Sequence, residues 1–183
     1  MIHRGFPFLL LVFCWNTYAA NYVTEPPPLY QKIASENKVP AKLFYAIILN
    51  ESRSIVSLKE SKSLLPWPWT VNHRGQGYYF ETREAAYRYI KPYIERGESL
   101  GIGLGQIEWK WHKDKFDSLW DVLDPHKNLS VSAKILRRQY ERSECSTWKL
   151  AIGCYHRPAQ GDKDKAIAKV YTNKVLRIWK SLI

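Results

Sequence analysis

The chain has 183 residues, 28 Lys and Arg against 17 Asp and Glu, and a formal net charge of +11. Hydrophobic residues make up 45% and charged residues 25%, too apolar for a disordered chain and ordinary for one globular domain with a real core. No apolar run reaches the roughly 18 residues that a bilayer crossing requires, so a multi-span membrane protein is excluded, as is a multidomain machine.

The first twenty residues read as a leader. His3 and Arg4 precede an almost wholly apolar stretch over residues 6–15, and small residues follow at Thr17, Ala19 and Ala20. That is the charged, apolar, small-residue order of a secretory signal peptide, too short for a membrane anchor. Cys14 follows bulky Phe13, where a lipoprotein signal wants a small residue, so cleavage near Ala19 or Ala20 is expected. Cleavage removes one charged residue, Arg4, and leaves a basic chain exported to the periplasm, not membrane-spanning.

Residues 21–28 end in Glu25-Pro26-Pro27-Pro28 and read as an extended linker. Residues 29–37 suggest a short helix. After Pro40, residues Leu43, Ile47, Asn50, Glu51 and Ser54 fall on one face of a second helix. Residues 67–72 and 77–80 flank the turn-prone His73-Arg74-Gly75-Gln76, the only hairpin signature. A helix over 82–96 follows. Asp124-Pro125 is an N-cap with Pro behind it, and Leu129, Ala133, Leu136 and Tyr140 continue a clean stripe. A helix over 148–155 is apolar nearly all round, and one over 162–182 turns Ile167, Tyr171, Ile178 and Leu182 inward and Lys163, Lys169 and Lys180 outward. The expected class is mainly α (α+β): one domain over 29–183 with a hairpin insert at about 66–81.

Two cysteines follow the leader, Cys145 and Cys154. An oxidising compartment favours a bridge. A helix through Cys154 would separate the pair at about 1.5 Å per residue, and only a loop at 143–146 folding back would join them. Both states are open at this point.

Several motifs carry no chemistry. Gly97-Glu98-Ser99-Leu100-Gly101 matches the serine-hydrolase elbow in letters, but a polar, helix-like segment precedes it where a buried strand is needed. Gly101-Ile102-Gly103-Leu104-Gly105 lacks the parallel strands of a dinucleotide site. His73, His112, His126 and His156 show no metal-ligand spacing. No cofactor is expected. The basic residues are scattered rather than gathered in a tract, so no nucleic-acid partner is expected, and an exported chain meets cell-wall polymer first.

Glu51 is the informative residue. It continues an apolar stripe at the C-terminal end of a helix, where desolvation and the negative helix end both raise a carboxyl pKa. A Glu protonated near neutral pH is the general acid that glycosidic cleavage needs. A helix-end cap or ion pair is the other reading of the same position.

Three blocks occur in order: Ile47-Ile48-Leu49-Asn50-Glu51-Ser52, then Gly103-Leu104-Gly105-Gln106-Ile107, then Ala151-Ile152-Gly153-Cys154-Tyr155-His156. Together they resemble the signature blocks of lytic transglycosylases, specifically the soluble lytic transglycosylase (SLT) catalytic domain, over about residues 29–155. The helix after Leu123-Asp124-Pro125 is similar to that between the family's second and third blocks. Pro66-Trp67-Pro68-Trp69-Thr70 and the Gly-Tyr-Tyr-Phe segment are similar to the exported branch that accompanies conjugation and type IV pilus or secretion systems.

The resemblance implies a lysozyme-like fold and cleavage of peptidoglycan between MurNAc and GlcNAc with formation of 1,6-anhydro-MurNAc ends. It makes Glu51 the catalytic acid and base and puts Ser52, Gly103, Leu104, Gln106, Tyr155 and His156 at the substrate. Gln106 would line a sugar subsite, Gly103 would let backbone approach the sugar, and Tyr155 would orient Glu51 or serve as a core tyrosine. Trp67, Trp69, Tyr78 and Tyr79 would stack on sugars or pack the hairpin. Implied partners are glycan strands and components of a secretion or pilus apparatus. Three departures stand out: Gly105 where the family has Met, His156 where it has Asn, and a long gap from Glu51 to Gln106. A lysozyme-type hydrolase would need a second carboxylate, for which Glu108 is the nearest candidate, read as a solvated start to the next helix. An inactive wall-binding accessory and a DNA-handling accessory are the readings from other classes.

Overall fold

A computed structural model describes residues 21–22, 24–58, 61–158 and 161–182. The expected leader, 1–20, lies outside the described residues. The organising element is helix α2 (Ala41–Ser52), which follows α1 (Pro28–Glu36). Every residue of α2 from Leu43 to Leu49 is buried, as expected where apolar residues leave no polar face. It is packed all round rather than along one stripe, and it ends at Ser52, so Ser54 falls in the next strand instead of on the helix.

That strand, β2 (Arg53–Leu58), pairs antiparallel with β3 (Ser61–Pro66), and β1 (Asn21–Tyr22) lies parallel along β3. The expectation of a single hairpin is thereby corrected, and part of the expected linker is a strand. Alternation is weak in Arg53-Ser54-Ile55-Val56, so the local pattern gives little sign of a strand. Pairing with β3 decides its state.

The expected hairpin is β4 (Thr70–His73) with β5 (Gln76–Tyr79), in register Thr70 to Tyr79 and His73 to Gln76. Its two turn residues, Arg74 at φ 53° and Gly75 at φ 83°, are both left-handed, as a tight two-residue hairpin demands. Helix α3 (Arg83–Glu95) begins where the Thr82 hydroxyl accepts from the Ala85 amide at 3.1 Å. Strands β6 (Leu100–Ile102) and β7 (Ile107–Glu108) complete a sheet of order β5-β4-β6-β7. After a short α4 (Trp109–His112), the Asp124 side chain caps α5 (Pro125–Tyr140) by accepting from the Lys127 amide at 2.9 Å. Helices α6 (Trp148–His156) and α7 (Asp162–Ser181) close the chain. The protein is mainly α with a small two-sheet β part.

Two apolar cores result. One joins α1, α2, α5, α6 and α7; the other joins α3, β4, β6, β7 and α5. Helix α5 serves both, presenting Leu129, Ala133 and Leu136 to the first and Val131 and Ile135 to the second. Tyr155 packs against both, and the seam beside it is the floor of a cleft. Cys145 and Cys154 form a disulfide with Cα atoms 6.4 Å apart: a turn of 3₁₀ helix at Ser143–Cys145 folds back over α6. No helix among the described residues is long and apolar enough to cross a membrane.

Candidate active site

The cleft has a volume of about 1630 Å³ and runs between the two cores. Glu51 sits in it one residue before α2 ends, because the helix that buries Leu43 to Leu49 carries its last turn out of the core into the seam. The residue keeps some exposed surface, but its carboxyl group is turned inward: the Tyr171 hydroxyl, from α7, donates to Oε1. Burial pushes the Glu51 carboxyl up from 4.5 to about 7, against the opposing pull of the Tyr171 hydrogen bond and of the nearby Arg53 guanidinium. Arg53 is anchored at the helix end, donating to the Leu49 carbonyl at 3.4 Å.

Tyr171 is the residue that sequence reasoning missed. Its position in the inward stripe of α7 was legible, but only the crossing of α7 over the end of α2 directs its hydroxyl to Glu51, with the Asn50 side chain as a second partner. The stretch resembling a known family ends at Tyr155, so no motif pointed to it. Burial and the neighbouring Glu51 hold the Tyr171 phenol well above its usual value, so it donates without ionising.

Tyr155 lies near enough to Glu51 for that carboxylate to raise its phenol pKa, with burial the larger cause. Its hydroxyl, however, donates to the Gly105 carbonyl at 2.8 Å rather than to Glu51. The hydroxyl that bonds Glu51 is thus that of Tyr171, and Tyr155 ties α6 to the loop over 103–106.

That loop is held by buried polar contacts. Asn128 of α5 donates from Nδ2 to the Ile102 carbonyl at 3.0 Å and the Val122 carbonyl at 2.8 Å, and its Oδ1 accepts from the Gly105 amide at 2.9 Å. A Cβ at Gly103, which sits at φ 79°, would fall 2.4 Å from Asn128 Nδ2, so the close approach of Asn128 and the left-handed backbone both require glycine here. A Cβ at Gly105 would fall 1.8 Å from Ser132 Oγ. The room that a Met side chain would need on this wall is taken by Ser132 and the Tyr155 hydroxyl.

Gln106 lines the cleft at φ 49°, but its amide nitrogen donates to the Gly103 carbonyl at 2.9 Å and the Thr70 carbonyl at 3.2 Å. Its Oε1 is the side-chain atom left to meet a ligand. Two expected contacts do not reach the cleft. Leu104 is core, and Ser52 is fully buried, donating to the Ile48 carbonyl at 3.1 Å. His156 does line the cleft, stacked on Tyr171 with centroids 4.3 Å apart.

The hairpin aromatics pack rather than face the cleft. Trp67 donates to the Phe80 carbonyl at 2.6 Å and meets Trp69 edge-on, and Tyr78 packs on Tyr89 of α3. Tyr79 faces a separate small pocket with Ile55 and Trp67. The exposed aromatic in the cleft is Trp111, 68% accessible. Its stretch, Trp109-Lys110-Trp111-His112, gave no pattern to single it out.

Glu108 ends β7 and, as expected, stands at the start of the next helix as the N-cap residue of α4; it is partly exposed on the cleft wall, with the Ser99 hydroxyl donating to its carboxylate. No group of three potential metal ligands occurs among the described residues. The chain matches no protein-family model, no curated protein and no solved structure.

Proposed function

We propose that the chain is a peptidoglycan lytic transglycosylase with a lysozyme-like catalytic domain, exported to the periplasm to open the wall locally for a conjugation, pilus or secretion apparatus. The observation that carries this reading is the Glu51 carboxyl group, pushed up to about 7 and held by Tyr171 on the floor of a long cleft. A group of that proton affinity is accessible in both protonation states near neutral pH and can work as acid and as base in one cycle.

In the proposed cycle the protonated Glu51 gives its proton to the glycosidic oxygen as the bond from MurNAc C1 to that oxygen breaks. The resulting carboxylate takes the proton of the MurNAc 6-hydroxyl, whose oxygen closes on C1. One bond breaks, one forms, and no water is consumed. The 6-hydroxyl is tethered to the sugar it attacks, so its effective concentration exceeds that of an unplaced water. Tyr171 would keep the carboxyl aimed at the seam throughout.

Glu108 favours a second reading, hydrolysis, because it puts another carboxylate on the cleft wall. Product analysis decides. Mass spectrometry of muropeptides released by the purified protein should show anhydro ends, one water lighter than hydrolysed ends. Glu51→Gln should lower their release by about 10²–10⁴-fold with the fold intact. Reducing ends as the main product would make the protein a muramidase. No release at all from wild type would leave a wall-binding accessory.

A further inference from the structure

Much of the charge on the described surface is neutralised in pairs: Arg74 and Arg96 with Glu98, Lys127 with Asp117 and Asp121, Arg142 with Glu144. Three cations line the Glu51 cleft: Arg53 is held on the Leu49 and Asn50 carbonyls at the end of α2, and the other two are not held. Arg157, just past α6, and Lys174, on α7, line the cleft and make no side-chain hydrogen bond or ion pair with any described residue. Both stand close enough to His156 to hold its imidazole, with burial as the larger cause, below its usual value. Burial and these two cations disfavour the imidazolium, so the fixed charge beside His156 is that of Arg157 and Lys174.

The path from them to the acid is short. They flank His156, His156 stacks face to face on Tyr171, and Tyr171 donates to Glu51. An anion held there would sit beside the reacting sugar. A guanidinium presents a planar fork matched to a carboxylate and an ammonium adds a mobile point charge, and no described acid pairs with either.

We propose that Arg157 and Lys174 form a carboxylate subsite beside Glu51 that binds the peptide carboxylates of a peptide-substituted glycan, so that the cleft selects peptide-bearing strands over bare polysaccharide. The inference rests on the reading of the cleft as a peptidoglycan site and adds the part of the substrate it recognises. The peptide of such a polymer hangs from the 3-position of MurNAc, the sugar whose C1 reacts, and so reaches the cleft rim next to the acid.

The test is calorimetric titration of the Glu51→Gln protein, which binds without turning over, with soluble glycan strands before and after an amidase removes the peptides and the lactyl carboxylates it exposes on MurNAc are capped as amides. Peptide-bearing strands should bind at least about tenfold more tightly, and the advantage should shrink as salt rises. Adding Arg157→Gln and Lys174→Gln should bring the ratio of the two affinities close to one, with an unchanged melting temperature as the fold control. Arg157→Lys with Lys174→Arg should keep most of the preference. Equal binding of the two strands by the Glu51→Gln protein, or a preference that survives the double Gln substitution, overturns the subsite. A short DNA duplex competing as well as the peptide-bearing strand also overturns it, in favour of unselective anion binding. Failure of the underlying reading has a different signature: neither strand binds and wild type releases no anhydro product, and the subsite falls with it.

Discussion

The two walls of the cleft are built by opposite means. On the helix wall, seven consecutive buried residues of α2 and the inward face of α7 make a dry apolar mass, and the polar atoms at its edge are few. On the sheet wall, the path of residues 101–106 is set by Asn128, by the Gln106 amide and by left-handed backbone at Gly103 and Gln106. The difference teaches what each kind of packing does. Apolar packing withholds water and so raises the proton affinity of Glu51; a satisfied polar lattice fixes backbone without creating a titrating group.

The hairpin end of the sheet wall follows the same rule. His73 is buried, with its ring nitrogens on Tyr89 and Glu98, and Arg74 and Arg96 join it on the Glu98 carboxylate. These partners hold the Glu98 carboxyl below its usual value, the His73 contact first among them, so it stays ionised and fastens β4 to the segment leading into β6. The charges on this wall are spent on structure. Glu51 is not.

The largest expected effect breaks the sheet wall. Asn128→Ala strips partners from a buried amide and two buried carbonyls, and should cost about 3 kcal/mol in denaturant unfolding. A loss under about 1 kcal/mol would mean that the lattice is dispensable. Gly103→Ala should cost less in the Asn128→Ala background than in wild type, because the clash at 2.4 Å is gone while the strain of φ 79° remains.

The next effect belongs to the helix wall and has a sign. A carboxyl raised from 4.5 to about 7 binds a proton more tightly folded than unfolded, so its contribution is fully present below about pH 4.5 and is lost as pH rises through about 7. Glu51→Gln removes that loss, and should be more stable than wild type at pH 8 by roughly 3 kcal/mol and no more stable at pH 4. Thermal melts of both proteins across pH measure it. Parallel curves would show that the carboxyl is not desolvated.

The smallest effect separates the two tyrosines. Tyr171→Phe removes a hydrogen bond that lowers the Glu51 pKa, so activity should fall by about tenfold and the alkaline limb of its pH profile should move upward. Tyr155→Phe releases the Gly105 carbonyl, and should cost about 1 kcal/mol of stability without moving that limb. Equal limb shifts in the two variants would erase the distinction between the walls.

What the sequence by itself determined is local or periodic. The N-cap at Asp124, the left-handed turn at Arg74-Gly75, the inward stripe of α7 and the place of Glu51 near a helix end all follow from contacts within a few residues. The tertiary structure decided whatever depends on partners far along the chain. Strand β2 exists because β3 is beside it, the disulfide because a short turn folds over α6, and the role of Gly103 because Asn128 arrives from α5. Tyr171 is the sharpest case: periodicity shows that it points inward, and only the crossing of α7 over α2 makes it the partner of Glu51, 120 positions away. A hydrogen bond between residues so distant is an outcome of packing two helices, and no window of sequence contains both ends of it.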